Sequence, residues 1–460
     1  MSPSTEPKGV AALAPPQPFS RLRGLVAGPH LIRYLAECQA RQGDPFVVPL
    51  FGLGRIVITG HPEGVRDVFA MPNTVCEPQG PNPLEPILGS GSIFLMKGDR
   101  HRRERRLMTP LFLAERMRAY GPQIQALTLA EMRRWKVGEP VEAQAFTHAL
   151  ALQVILRVIF GVRSPERRAA LHGAISDLLH SYTVPLALVP PLRRDLLGLT
   201  GWKRFTRARE RVRALLLEEI AGRRREGGAG REDILSLLVE ARYPDGGGLS
   251  DEALHDALCT LLVAGHETVA LGLAWAFHFA LNDDSVGDAL RAELEPLGAD
   301  ATPEALSALP YVGALAQEAL RRHPNVPVVA RQLSESASVR GVELPKGTSV
   351  SVGVALLHMN PDVYPDPERF RPQRFLDRSY APHEFAPFGG GVRRCLGAAF
   401  GLYEMKVVLG TAFSRARLAP VPGPAPRAVL KGISYAPDRP IRMVLREPLR
   451  GEAAAPDVDA

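Results

Sequence analysis

The sequence predicts a mainly α fold with a smaller β-rich part. Three observations predict it. Apolar residues recur at three- and four-residue spacing through most of residues 99–280. One stretch, from Asp251 to near Leu281, is apolar on almost every face. Short alternating segments lie towards both ends of the chain.

Taken in order, residues 46–60 (FVVPLFGLGRIVITG) read as two strands turned at Gly52-Leu53-Gly54. His61-Pro62-Glu63 opens a short helix. The run 72–92 is rich in proline and glycine and predicts a long loop, of a length that often carries function. Helical spacing marks 122–135, 147–160, 168–181, 204–222 and 232–241. Ser250 is the candidate N-cap of the long helix. At about 31 residues that helix would cross a whole domain. Being apolar all round, it belongs in a core. A further helix runs from Pro310 to just before Pro324. Residues 337–355 alternate like strands, and 360–394 show little periodicity. A helix runs from near Cys395 to about Arg415, and 427–446 read as short strands. Residues 1–20 predict a flexible lead, 21–450 one domain, and 451–460 a disordered tail.

Composition excludes several classes. The chain is 45% hydrophobic and 23% charged, as soluble globular chains are. No stretch approaches the roughly 20 apolar residues of a membrane span. Pro15, Pro16 and Pro18 interrupt any signal-like run. A cytoplasmic protein without an anchor is expected. Cys38, Cys76, Cys259 and Cys395 form no C-x-x-C pair, so a reducing compartment fits and a disulfide framework does not. The net charge of +7 comes with no nucleic-acid motif. An acidic protein partner is the better expectation.

The most distinctive segment is Phe388-Gly389-Gly390-Gly391-Val392-Arg393-Arg394-Cys395-Leu396-Gly397. Three glycines let the backbone turn and approach a large flat ligand. Cys395 sits at a predicted helix start, where the dipole and free N–H groups stabilise a thiolate. Such a thiolate is a nucleophile or a metal ligand. A buried structural cysteine needs neither the glycines nor the two arginines. A cysteine hydrolase would need a histidine base, to which nothing points. The glycine signatures of dinucleotide and P-loop folds are absent.

Other segments carry chemistry too. Ala264-Gly265-His266-Glu267-Thr268 puts polar residues inside the long helix, which is costly unless they are used. Gly265 permits close approach of a flat ligand. Thr268 can bond back to the Ala264 carbonyl and locally open the helix. His266-Glu267 begins a zinc-protease signature, but Ala270 stands where its second histidine is required. Glu318 and Arg321 share a helix face. In Asp99–Arg106, His101 and Arg105 share another. Arg102, Arg103 and Arg106 fall beside them, with no internal partner to name.

Phe388, Gly391, Arg393, Cys395 and Gly397 match F-x-x-G-x-[HR]-x-C-x-G. The segment resembles the haem-binding loop of the cytochrome P450 family, and the other motifs follow in that family's order across residues 25–446. The resemblance implies the cytochrome P450 fold, with haem b between the long helix and the cysteine loop. It implies Cys395 as the axial thiolate on iron. It implies a cofactor-binding role for His101, Arg105, Arg331 and Arg393 at the propionates, and for Ala264, Gly265, Phe388 and Gly397 along the haem. Ala264–Thr268 resembles the oxygen-activation motif. There Thr268 would hold a water and Glu267 would relay protons, while His266 would point away. Glu318 and Arg321 would form a buried network with Arg374. Gln373 stands where the family has glutamate, a harmless departure.

The implied reaction inserts one oxygen atom of O2 into a C–H bond. A separate ferredoxin or flavodoxin, with its NAD(P)H reductase, would supply electrons. It would dock over Arg102, Arg103, Arg106 and Arg394. The expected substrate lining is Ile93, Phe94, Ala264, the stretch Pro324–Val329 with Val326 and Val328, and the turn Ile433–Tyr435, with Tyr182–Leu192 at the entrance. An apolar lining fits a lipophilic substrate. Similarity to fatty-acid-oxidising members puts fatty acids first, with broad tolerance, and a terpenoid or polyketide second. The intact Glu267–Thr268 pair argues against a peroxygenase, an isomerase or a non-catalytic haem sensor.

Overall fold

The helical spacing of residues 99–280 becomes a stack of helices around one buried helix. This is seen in a computed structural model that describes residues 8–9, 30–50, 54–78, 80, 82–112, 114–195, 200–227 and 230–451. The first half holds β1 (Lys8–Gly9), α1 (Leu31–Gln42), β2 (Phe46–Leu50), β3 (Gly54–Thr59), α2 (Pro62–Ala70), β4 (Cys76–Glu77), α3 (Glu85–Leu88), α4 (Gly98–Met108), α5 (Ala114–Met132), β5 (Pro140–Glu142), α6 (Ala143–Val154), α7 (Pro165–Ser181), α8 (Val184–Leu188), α9 (Trp202–Glu226) and α10 (Ile234–Glu240). The second half continues with α11 (Asp251–Asn282), α12 (Asp284–Leu294), α13 (Pro303–Ala308), α14 (Pro310–Arg322), β6 (Val329–Leu333), β7 (Ala337–Val339), β8 (Val342–Leu344), β9 (Ser349–Val352), α15 (Val354–His358), α16 (Arg374–Asp377) and α17 (Ala398–Arg415). It closes with β10 (Leu418–Pro420), β11 (Ala428–Lys431), β12 (Ser434–Pro437) and β13 (Arg442–Leu445).

Helix α11 is the centre of the stack. The Ser250 hydroxyl accepts from the Ala253 N–H at 3.2 Å, which makes Ser250 its N-cap. Asp251 and Glu252 occupy the first turn, where the helix dipole favours them. Leu254, Leu258, Leu262, Leu273, Trp275 and Phe277 are fully enclosed. Each such side chain gains roughly 1.5–3 kcal/mol from burial. Helices α6, α9, α14 and α17 supply the walls. By length and composition α11 could itself cross a membrane, which corrects the expectation that no stretch comes near. Most of its apolar window is instead buried inside the protein.

Five strands form the main sheet in the order β2-β3-β9-β6-β4. Alternation sends the side chains to two sides. Val47, Val57, Val350 and Val352 pack with Val65 and Val68 of α2. Phe46, Val48, Ile56 and Ile58 pack with Leu35 of α1. Helices α1, α12 and α13 carried no clear sequence signal. Asp283 explains one of these misses. It ends α11 and caps α12 at once, accepting from the N–H groups of Ser285 and Val286, so no loop separates the two helices to mark where α12 starts. Within the expected flexible lead, Lys8–Gly9 pairs parallel with Val342–Glu343. Backbone pairing of two residues leaves no side-chain pattern to read. The turn expected at Gly52-Leu53 and the tail from 452 lie outside the described residues.

Two buried histidines predict how stability responds to acid. Burial, then the Arg321 charge, pushes His358 down to about 3 from 6.5. Burial, then Arg322, holds His323 well below 6.5. In the unfolded chain both take up a proton near 6.5, while the folded chain refuses it. Stability is therefore lost as pH falls below 6.5, by up to roughly 1.4 kcal/mol per pH unit for each histidine. The melting temperature should fall steadily from pH 7 to pH 5, before most carboxylates titrate. A flat profile there would show that these histidines are not held neutral.

Candidate active site

The cysteine loop is shaped by α2. Gly389 and Gly391 have φ of 62° and 63°, which glycine alone adopts freely. A Cβ on Gly390 would lie 2.1 Å from the Phe69 ring, and one on Gly391 would lie 2.1 Å from the Phe69 carbonyl oxygen. The glycines thus seat the loop on α2. This seating on Phe69 is a requirement for Gly390 and Gly391 that the sequence did not reveal. The Cys395 N–H donates to the Phe388 carbonyl at 2.8 Å and closes the loop. Gly397 is the N-cap of α17.

Cys395 is exposed, yet protein surrounds it closely enough that burial raises its thiol above the ordinary value. It faces an internal space. The Gly397 N–H, Arg105 and Arg394 pull the other way and do not win. The protein alone therefore holds a thiol. A bound metal ion is the partner that displaces such a proton. Among the described residues the groups that shift the Cys395 thiol are Gly397, Arg105 and Arg394, none of them a histidine base.

Above this sulfur, four basic side chains converge. His101 is buried, and its Nδ1 accepts from the Asn73 amide at 3.0 Å. Burial, then the charges of Arg393, Arg105 and Arg331, pushes it down to about 4. Arg393 is itself lowered to about 10, first by burial and then by Arg331. The three arginines donate to carbonyls: Arg105 to Arg394 at 2.6 Å, Arg393 to Met96 at 2.7 Å, Arg331 to Ala330 at 2.8 Å. Among the described residues none of them has a carboxylate partner, and Arg393 Nε is buried with no partner at all. Crowded cations of this kind need an anion. The set fits a flat, metal-centred group that carries carboxylates on one edge.

Across the space stands α11. Thr268 Oγ1 donates to the Ala264 carbonyl at 2.7 Å, and Asn325 Nδ2 donates to the Thr268 carbonyl at 2.7 Å. The helix stays continuous, so the back-bond does not open it as expected. Ala264 is exposed in mid-helix, although α11 is otherwise a core element. A Cβ on Gly265 would lie 3.7 Å from Ile155, in the π-helical turn Ile155–Ile159. His266 turns to the opposite face, as expected. Its Nε2 meets the His148 carbonyl at 3.2 Å. Burial raises Glu267, and a hydrogen bond with Ser434 partly offsets this. Ser434 lies in the turn Ile433–Tyr435 expected in the lining, but its bond to Glu267 was not read from the sequence. Val269 lies against Gly401 of α17, which brings the cysteine end of α17 and Thr268 together.

The residues of the expected lining differ in exposure. Ile93 packs on the helical core, while Phe94 and Ile433 are 50% and 45% exposed. Val326 is half-buried. Val328 is half-buried and packs against α1 and the sheet. Two basic-helix residues also gain partners that the sequence did not reveal. Arg102 pairs with Asp99, and Arg103 pairs with Asp245 at 2.7 Å while lying over Tyr243. Arg106 and Arg394 remain exposed.

Beneath the loop, Arg321 and Glu318 are fully buried in a bidentate pair at 2.7 and 2.8 Å. Arg374 Nε joins Glu318 at 3.1 Å. Arg321 also donates to the carbonyls of His358 and Pro367, both at 2.9 Å. Gln373 is exposed beside them, so its departure from glutamate disturbs nothing in the network.

A reachable cysteine facing a long helix, under cations that await an anion, defines a haem-dependent oxidoreductase. The chain belongs to the cytochrome P450 family, a family of haem-iron monooxygenases: the sequence profile described as Cytochrome P450 matches residues 21–442. It is 35% identical over 420 residues to cytochrome P450 135B1 of Mycobacterium tuberculosis, covering 91% of this chain and 88% of that one. Among solved structures it is similar to retinoic acid bound cyanobacterial CYP120A1. That match has a TM-score of 0.78 at 26% identity and covers 89% and 93% of the two chains. The P450DA heme domain shares the fold, with a TM-score of 0.83 at 22% identity over 95% and 98%.

The buried network carries a quantitative expectation. Glu318→Ala leaves two arginines without their carboxylate, and Arg321→Ala leaves a buried carboxylate with one fewer cation. Each should cost roughly 3–5 kcal/mol. Urea denaturation and the yield of haem-loaded protein measure this, and normal values for both variants would remove the network from the scaffold.

Proposed function

We propose that the chain binds haem b and hydroxylates lipophilic substrates in the cytoplasm, with fatty acids first. Cys395 would hold the iron, and His101, Arg105, Arg331 and Arg393 would hold the propionates. The observation that carries the reading is the convergence of these cations, without a carboxylate, over a reachable cysteine. Bound haem supplies the activation of O2, which side chains alone do not perform.

The chain's own residues then do the following. Thr268 has spent its one proton on the Ala264 carbonyl, so its oxygen remains an acceptor for a water on the exposed side of α11. Asn325 fixes the Thr268 backbone. Glu267, raised by burial, can take up and hand on a proton more readily than an ordinary carboxylate, and Ser434 holds its carboxyl at rest. Phe94, Ala264 and Ile433 offer apolar surface and no charge, which supports a lipophilic substrate. Retinoic acid in the similar cyanobacterial structure is a lipophilic carboxylic acid, in keeping with fatty acids. It is also an isoprenoid, which favours a terpenoid as the second reading.

A ferredoxin or flavodoxin, with its NAD(P)H reductase, would deliver the electrons. Arg106 and Arg394 are the exposed cations left to steer an acidic donor. Arg102 and Arg103 are taken up by Asp99 and Asp245. We assign no nucleic-acid partner and no membrane anchor.

Two variants test this. Cys395→Ala should abolish the red-shifted Soret band of the reduced protein under carbon monoxide, and a band that survives would refute the ligand. Thr268→Ala should keep that band and the bound haem, yet make about tenfold less product per NADPH, because ordered proton delivery is lost. Unchanged coupling would take Thr268 out of the mechanism.

A further inference from the structure

The loop that carries Ile93 and Phe94 is fastened to α11 by a set of contacts no motif announced. Asp256 lies on α11, three turns before Thr268. Its Oδ2 accepts from the Gly91 N–H at 2.8 Å. One turn on, the Thr260 hydroxyl donates to the Asp256 carbonyl at 2.6 Å and meets the Ser92 hydroxyl at 2.7 Å, both hydroxyls buried. The loop is shaped for this carboxylate. A Cβ on Gly89 would lie 2.1 Å from Asp256 Oδ1, and one on Gly91 would lie 2.7 Å from Oδ2. Gly89 also has φ of 81°, so glycine is required there twice over.

The carboxylate is held from behind as well. His255 Nδ1 lies 2.9 Å from Asp256 Oδ1, and His255 Nε2 lies 3.5 Å from Cys259 Sγ. An ionised carboxylate only accepts, so Nδ1 carries the imidazole proton and Nε2 accepts from the thiol. Burial pushes the Cys259 thiol up to about 12, so that donor stays protonated. Cysteine, histidine and aspartate in line suggest a hydrolytic triad. The order of protons argues otherwise: the thiol is buried and inert, and the free end of the line is the Gly91 N–H. The far end of the loop is pinned separately, by Arg393 donating to the Met96 carbonyl at 2.7 Å.

The geometry points to Asp256 as a positioning residue. It latches the Gly89–Ser92 loop to α11 and thereby sets how firmly Ile93 and Phe94 close over the substrate side. The inference rests on the haem reading only for which side that is. The residence time of a ligand in the site, rather than the chemistry, is what the latch governs.

The test uses the haem-loaded full chain and 4-phenylimidazole, a probe that needs no knowledge of the natural substrate. Asp256→Ala should leave the reduced carbon-monoxide spectrum unchanged. It should raise amide exchange in the peptide covering Gly89–Met96 and speed probe dissociation, each by about tenfold, the worth of one hydrogen bond to a charged group. Asp256→Asn, which can still accept from Gly91, should recover part of both effects. Gly91→Ala alone should also loosen the loop, since its Cβ meets the carboxylate. Added to Asp256→Ala it should do no further harm, because the obstacle is gone. Loop exchange and probe release that ignore Asp256→Ala would overturn the latch. So would strictly additive effects of the two substitutions. Absence of the carbon-monoxide band in the unmodified protein would instead overturn the haem reading, and amide exchange would still report on the latch.

Discussion

One carboxylate shared by two buried arginines fixes the platform on which the cysteine is presented. Glu318 Oε1 receives Arg321 Nη2, Arg374 Nε and the Arg371 N–H together. Two guanidinium groups in a dry interior repel, and one glutamate does not neutralise both. The remaining donors are satisfied by carbonyls of the irregular segment 358–369, which therefore has to wrap closely around them. The lack of periodicity in 360–394 has its physical reason here. The backbone of this segment is spent on arginines rather than on a helix or a sheet. Tyr364 lies 5.2 Å below Arg321 and adds its ring face to the cation.

From this network a line of hydrogen bonds reaches the cysteine. The Ala386 N–H donates to His358 Nε2 at 3.0 Å, so Nε2 is the bare nitrogen of the ring. His358 Nδ1 therefore carries the proton and donates to the Arg321 carbonyl at 3.1 Å. Ala386 is two residues before Phe388, whose carbonyl holds the Cys395 N–H. The histidine works only while neutral, and burial beside Arg321 keeps it so. Burial sets the other protonation states of the site in the same sense. It raises Cys395 and Glu267 and lowers His101, so each neutral form is favoured. Glu404, fully enclosed on α17 with Oε1 unpartnered, is pushed up to about 8. The charges that remain are arginines, which give up their proton last.

What the sequence revealed and what it hid divide by range along the chain. Ser250 capping α11, Thr268 bonding back to Ala264 and the pair Glu318–Arg321 all lie within four residues of their partners, and spacing alone places them. His358 was silent, because a lone histidine in an apolar stretch has no period and its partners sit 28 and 37 positions away. Asp245 was silent as the partner of Arg103 for the same reason, being 142 positions distant. The glycines of the cysteine loop were legible as a need for space, but not as space for Phe69. Gly89 and Gly91 were read as loop composition, when a carboxylate 165 positions beyond Gly91 requires them. A glycine declares that something comes close without saying what.

The two sides of the site also differ in how they are held, and that difference follows from the kinds of bond used. Below the cysteine, buried charge pairs with several donors each give a platform that cannot loosen one contact at a time. Removing any member strands the others in a low dielectric. On the opposite side, the loops are held by a few uncharged or singly charged contacts: Asp256 to Gly91 and Thr260 to Ser92, Arg393 to Met96, Tyr182 to Pro83. Single bonds of this kind are worth about 1 to 3 kcal/mol, little enough for local opening without unfolding. A monooxygenase needs both properties at once. Its metal ligand must stay fixed through every cycle, while substrate has to enter and product has to leave. The distribution of buried charge lets one chain be rigid at Cys395 and yielding at Phe94.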